Sequence, residues 1–148
     1  MIVQIDFSTI YHYWSTMLWP ERTSKIEPTS AMSFLGGYDL KNLDFEPTFF
    51  AYTIDNNIVG VNSGHKCMDN GYRSRGLYVL PKYRGKRIGV ELLIETINQG
   101  TKENCNYVWS YPKESSWSTY RKAGFTLSSN FEKSELGDNA YCRIDISI

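Results

Sequence analysis

Histidine is scarce in this sequence. His12 and His65 are the only two in 148 residues, so a histidine-rich metal centre lacks its ligands and no metal is expected. The three cysteines, Cys67, Cys105 and Cys142, form neither a CxxC pair nor a zinc spacing. Odd in number and far apart, they do not read as a disulfide framework either. Together with the lack of a signal-like start, this leads to the expectation of a reducing, cytoplasmic setting. No apolar run approaches the roughly 20 residues that a membrane span needs. Net charge is missing too, with Lys plus Arg and Asp plus Glu at 16 each. A general nucleic-acid binder shows a basic excess, so neither a nucleic acid nor a membrane is expected as a partner. With no repeats, low-complexity tract or linker, residues 1–148 read as a single domain.

What is present suits a packed globule. Apolar residues make up 41% and aromatics 15%, enough for one sizeable core. "MIVQID" reads as a short strand. "FSTIYHYWSTMLW" repeats apolar residues at helical spacing, with Ile10, Trp14 and Leu18 on one face, Ser8 as cap and Pro20 beyond the end. Residues 20–37 read as a polar loop with room for a short helix, closed by Gly36-Gly37. "PTFFAYTIDNNIVGVNSGHKC" predicts a hairpin turning at Asp55-Asn56-Asn57, and "YRSRGLYVL" a further strand ending at Pro81. "VELLIETINQG" predicts a helix whose core face carries Ile88, Leu92, Leu93 and Ile97, with Gly100 as its stop. "NYVWSYP" is a strand, "SSWSTYRKA" a short helix capped by Gly124, and "FTLSSNF" and "AYCRIDISI" are two more strands. This order predicts an α/β or α+β architecture, a mixed sheet flanked by helices. The unit 72–112 should be a right-handed parallel crossover.

Within this neutral chain the charges are uneven. From Arg73 to Arg87 there are six cations (Arg73, Arg75, Lys82, Arg84, Lys86, Arg87) and no acid, which points to one local anion site. The stretch "LPKYRGKRIG", residues 80–89, turns into a helix near Arg87. Unpaired N–H groups and the helix dipole favour an anion there, and Gly85 and Gly89 remove side chains where a ligand, or a neighbouring strand, must approach closely. The spacing is neither a P-loop nor a dinucleotide fingerprint. A pyrophosphate or another nucleotide phosphate is the expected ligand, and a solvated basic turn is the bland alternative.

A second stretch, "STYRKAGF" at 118–125, narrows the choice. "GLYVLPKYRGKRIGVELL" followed some thirty residues later by "YRKAGF" resembles the GNAT-type N-acetyltransferases, which use acetyl-CoA to acetylate an amine. The resemblance runs from about residue 50 to 127. It implies a GNAT-like acyl-CoA N-acyltransferase fold, with a mixed, mostly antiparallel central sheet flanked by helices. The family's pyrophosphate signature maps onto Arg84, Gly85, Lys86, Arg87, Ile88 and Gly89. Arg87 departs from it, standing where the first signature glycine belongs, and Lys113 stands where the family often has an asparagine. The resemblance further implies that Leu77, Tyr78 and Val79 pair with pantetheine and that the Val79 amide faces the oxyanion. It makes Tyr120 the general acid toward the departing thiolate, a role that suits a phenol with an ordinary pKa of about 10. The general base is left open among His65, Asp69, Tyr111 and water. The acceptor side is expected from residues 14–38, with Trp19, Glu21, Arg22 and Glu27 as contributors, while the spacing of Trp117 fits core packing or a pocket wall. The expected partners are acetyl-CoA and an amine acceptor, either a small amine or a protein or peptide amine. A homodimer is among the expectations, though no stretch specifies an interface. The alternative is a coenzyme A-binding module of the same fold with little or no catalysis.

Overall fold

In the computed structural model, which describes residues 1–146, the alternation seen in the sequence builds a seven-stranded sheet. Its elements are β1 (Ile2–Ile5), α1 (Phe7–Tyr13), β2 (Met32–Ser33), β3 (Gly36–Tyr38), β4 (Thr48–Ile54), β5 (Asn57–Lys66) and β6 (Gly71–Val79). There follow α2 (Ile88–Lys102), β7 (Tyr107–Ser110), α3 (Trp117–Lys122), β8 (Thr126–Leu127), β9 (Glu132–Ser134), β10 (Gly137–Asn139) and β11 (Cys142–Asp145). The main sheet runs β1-β4-β5-β6-β7-β11-β8. Every pairing in it is antiparallel except β6 with β7, which is parallel across the α2 crossover.

The two faces of the sheet take different partners. On one, α2 lies so close that a Cβ at Gly60 would meet Ile88 and Leu92 side chains at 3.1 Å, so glycine there sets the helix-to-sheet distance. Asn62 on the same face donates to Ser74 Oγ and Thr96 Oγ1, both at 2.9 Å. On the other face, Ile10 and Trp14 pack against Phe49, Ala51 and Val61. Tertiary burial of this kind, worth roughly 1.5–3 kcal/mol per large apolar side chain, supports helices as short as α1.

Several local expectations need correction. Asp6, not Ser8, caps α1, its carboxylate accepting from Thr9 N–H at 2.9 Å. The helix then widens into a π turn over Trp14–Leu18, closed by Trp19 N–H to the Trp14 carbonyl at 2.8 Å. Gly100 does not stop α2, which continues to Lys102 before Asn104 takes the left-handed conformation. A Cβ at Gly100 would meet the Tyr72 side chain at 3.1 Å, so that glycine admits a neighbour. The polar loop ends in the small β2–β3 hairpin, and a 3-10 turn at Leu40–Asp44 follows it. The strand expected across "FTLSSNF" shrinks to Thr126–Leu127, and a β9–β10 hairpin follows it. The last two residues of the final predicted strand lie outside the described residues.

Candidate active site

The site begins with a parallel pair that separates. β6 and β7 are in register only at Gly71–Tyr107, Tyr72–Val108 and Arg73–Trp109, although β6 continues to Val79. A bulge drives them apart. Against β5, Val61 faces Tyr78 while Ser63 faces Arg75, so β6 carries one extra residue around Gly76. Gly76 has φ +80°, and a Cβ there would collide with the Trp14 indole. Trp14 Nε1 donates to the Gly76 carbonyl at 2.9 Å, pinning the bulge to the π turn. Bulges aim side chains and end pairing in this way.

The opening holds two cavities. One, of about 450 Å³, is bounded by Leu77 to Val79, the loop from Tyr83 to Gly89 and the α3 residues Thr119 and Lys122. The other, of about 560 Å³, lies on the face away from α2, between Trp19, Met32, Arg73, Arg75, Tyr111 and Tyr120. Leu18, Leu77, Lys113 and Ser116 line both, so the two meet through the gap between β6 and β7.

In the smaller cavity the loop turns through two left-handed residues into α2. Gly85 has φ +79° with nothing within 4 Å of a would-be Cβ, and Arg87 holds φ +66° as the residue before α2. The position where the signature calls for glycine therefore keeps glycine's backbone with an arginine in it, at a cost of about 1–2 kcal/mol. Arg84 folds back, donating Nε–H to the Val79 carbonyl at 2.8 Å with its guanidinium 5.3 Å from the Tyr78 ring. Leu80 N–H donates to the Val59 carbonyl. Antiparallel ladders alternate, so Val79 turns its own N–H away from β5 toward the opening. Of the residues assigned to the coenzyme by sequence, Lys86 alone is off this wall, lying over Tyr83 instead. Gly89 serves helix packing, since a Cβ would press Thr119 of α3 at 3.0 Å.

Tyr120 lines the larger cavity, four residues beyond Ser116, which borders both. It is 4% exposed, and burial pushes its phenol up to about 12. Ser110 Oγ donates to the Ser74 carbonyl at 2.7 Å and lies 3.5 Å from the Tyr120 hydroxyl. Phe125 holds the ring edge-on, 5.4 Å between centroids.

The candidate bases separate on geometry. His65 is fully buried and absent from both cavity walls. Its Nε2 accepts from Ser30 N–H at 3.1 Å and its Nδ1 lies 3.1 Å from the Lys66 carbonyl. Burial first, then Arg73 and Arg75, lower it to about 3 against one opposing backbone hydrogen bond. Asp69 is exposed in the β5–β6 turn, accepting from Gly71 N–H and from Tyr107 Oη–H. Tyr111 does line the larger cavity, its phenol raised by burial. Of the residues assigned to the acceptor by sequence, Trp19, Arg22 and Glu27 line this cavity, whereas the exposed Glu21 does not. Trp117 packs against the core cluster around Leu93 and Phe125.

The expectation of one anion site in residues 73–87 needs correcting. Arg84 and Arg87 line the smaller cavity, but Arg73 and Arg75 line the larger one through the opposite face of β6. Their i, i+2 spacing on a strand was the available signal. Ser110, Thr119 and Lys122 went unnoticed in the sequence, where nothing sets them apart.

A mixed sheet parted at one parallel pair, with a basic, glycine-bearing helix start beside the gap, is the architecture of acyl-coenzyme A transferases. The family model for the acetyltransferase (GNAT) family matches residues 11–125, and the chain belongs to that family of acetyl-CoA-dependent acyltransferases. Solved structures agree on the fold. A GNAT-family acetyltransferase from Staphylococcus aureus Mu50 superposes with TM-score 0.70 at 17% identity, covering 99% of each chain. IAA acetyltransferase from Bacillus cereus gives 0.71 at 13% identity, again covering 99% of both. PaiA N-acetyltransferase from Thermoplasma acidophilum, solved with coenzyme A, gives 0.57 at 21% identity over 72% of this chain and 65% of its own. No curated protein matches this sequence.

Proposed function

We propose that this chain transfers the acetyl group of acetyl-CoA directly to an amine, with no acyl-enzyme. The observation that carries this is the continuity of two cavities through the β6–β7 gap, with Tyr120 on the wall of the larger one, four residues beyond Ser116, which lines both. Coenzyme A phosphates lie at the Arg84–Gly89 cradle, held by backbone N–H groups at the start of α2, with the exposed Arg87 and Lys122 adding screened positive charge beside them. Pantetheine extends along the free edge of Leu77, Tyr78 and Val79 as an added strand, bringing the thioester to the gap. The amine enters from the larger cavity, small or at the end of a peptide.

The amine nitrogen attacks the thioester carbonyl and forms the C–N bond, leaving an oxyanion that the Val79 N–H receives. Collapse breaks the C–S bond, and the thiolate takes the Tyr120 proton. A phenol raised to about 12 is fully protonated at neutral pH, as a general acid must be. The ammonium proton formed on the attacking nitrogen leaves to water in the open cavity, which returns a proton to Tyr120. His65, lowered and doubly hydrogen-bonded, takes no part. We place the enzyme in the cytoplasm.

The experiment is calorimetry of acetyl-CoA binding to wild type and Tyr120→Phe, followed by thiol release with a panel of amines. Equal affinity in both proteins, with turnover reduced about 100-fold or more in the variant, is expected. Unreduced turnover removes Tyr120 from the chemistry. Failure of the wild type to bind acetyl-CoA leaves no acetyl-transfer reading.

A further inference from the structure

Two side chains on the acceptor wall have no part in the transfer just described. Arg73 and Arg75 leave β6 on the face opposite α2 and are 8% and 4% exposed. Arg75 gives one N–H to the Glu27 carbonyl at 2.8 Å and lies 4.8 Å from the Trp14 ring and 5.3 Å from the Trp19 ring. Arg73 donates Nε–H to the Ser74 carbonyl at 3.1 Å and Nη1–H to Met32 Sδ at 3.5 Å, with Trp109 at 4.5 Å. Neither meets a carboxylate: among the described residues the ion pairs are Lys25–Glu27 and Arg143–Asp145.

A guanidinium carries five donors, so each of these keeps most of its hydrogen-bonding capacity for a group the folded chain does not supply. Ring stacking and a carbonyl offset only part of the cost of withdrawing a cation from water, and two cations side by side raise that cost. The rest of the wall deepens the imbalance. Five cationic side chains line this cavity against two carboxylates. Of those two, Glu27 is paired with Lys25, and Glu135 accepts from the Thr23 hydroxyl at 3.2 Å.

We infer that the acceptor carries an oxyanion as well as its amine, a carboxylate or a phosphate, and that Arg73 and Arg75 receive it in the larger cavity. The acceptor class is then amino acids, peptide carboxylates or phosphorylated amino sugars, and purely cationic amines such as polyamines are repelled. The inference rests on the acetyl-transfer reading for naming this cavity the acceptor side. Its anion-binding content stands apart from that reading.

The test uses product-like probes with the intact protein and no coenzyme. Thermal melting is followed with the N-acetyl derivatives of the common amino acids, each beside its carboxamide, and with N-acetylglucosamine 6-phosphate beside N-acetylglucosamine. The anionic member of at least one pair should raise Tm while its neutral partner does not, and the arm that responds tells carboxylate from phosphate. In Arg75→Met the shift should disappear. The apo Tm of that variant should hold or rise, because an unpaired buried cation has been replaced by an apolar stem. Arg73→Gln serves as a second variant if Arg75→Met does not fold. Equal shifts from neutral and anionic members, or no response to any anion, overturn the inference. So does a lowered apo Tm in Arg75→Met with the anion shift intact, which would make Arg75 a structural prop. Failure of acetyl-CoA binding would sink the transfer reading and leave this result standing.

Discussion

Arg84 and Arg87 stand in water at the mouth of one cavity, while Arg73 and Arg75, a dozen residues earlier, are sealed into the wall of the other. In sequence they form one basic run. In the fold they answer to opposite electrostatics. The exposed pair keeps its hydration, costs little when the site is empty, and acts through a dielectric that salt screens over about 8–10 Å. The buried pair is desolvated beforehand, so an anion that reaches it meets a less screened field and donors already fixed in place. On the proposed reading the loop accepts phosphates that stay half in solvent, and the wall selects what enters.

The largest expected effect comes from the loop's backbone. Gly85 is left-handed and faces open space, so Gly85→Ala strains the turn and puts a methyl where a phosphate oxygen should lie. Losing one or two charge-assisted hydrogen bonds there amounts to about 3 kcal/mol, on the order of a hundredfold in acetyl-CoA affinity by calorimetry. The probe-induced Tm shifts at Arg73 and Arg75 should not change. If they do, the two cavities are not the separate sites described.

The buried wall can be perturbed by pH. His65 sits beside Arg73 and Arg75 and is neutral, lowered to about 3 chiefly by burial. Unfolded, it titrates near 6.5. Between those values the unfolded chain binds the extra proton, so stability is complete above pH 6.5 and is lost as pH falls toward 3. The loss is about 1.4 kcal/mol per pH unit, or about 2 kcal/mol by pH 5. Urea denaturation at pH 7 and pH 5 should show it, with His65→Gln flattening the acid limb. A His65 that protonates without loss of stability would mean that this wall is wetter than its burial indicates.

Salt should separate the two sites more gently. Raising sodium chloride from 50 to 500 mM should weaken acetyl-CoA binding several-fold, because the loop cations are exposed. Anion binding at Arg73 and Arg75 should weaken less over the same range. Equal slopes in the two titrations would erase the distinction between pairs.

Much of the architecture was readable because it depends on local pattern. The Asp55-Asn56 hairpin, the α2 core face and the parallel crossover follow from alternation, helical spacing and turn residues. The helix start after Arg87 was legible too, since glycines and cations leading into an apolar periodic run are a local feature. The acceptor wall was not. Arg73 and Arg75 were counted with the loop cations because sequence shows charge but not the face of a strand that is bulged at Gly76. His65 read as a titratable candidate because its burial comes from Ser30, Lys66 and the arginines closing around it. Gly100 read as a helix stop, whereas Tyr72 sets its need for glycine, and at Gly89 the element that approaches closely is α3. Contacts between distant segments decided each of these.

The smallest effect concerns the one residue that mixes both kinds of site. Arg87 is exposed like its loop neighbours, yet its backbone is strained, at φ +66° and ψ 11° with no side-chain cap on α2. Glycine would adopt that conformation without the Cβ penalty, so Arg87→Gly should gain up to about 1 kcal/mol from relieved strain. Against this, glycine's looser unfolded chain takes back part of the gain. The net expectation is a Tm unchanged or raised by a few degrees. Acetyl-CoA affinity should fall only two- to fivefold, because the cradle's N–H groups persist while one screened cation is lost. A larger fall would show that the arginine itself grips a phosphate, and a fall in Tm would show that its side chain supports the loop. An unchanged affinity with a higher Tm would make Arg87 an incidental occupant of a glycine's position, with the backbone alone holding the coenzyme.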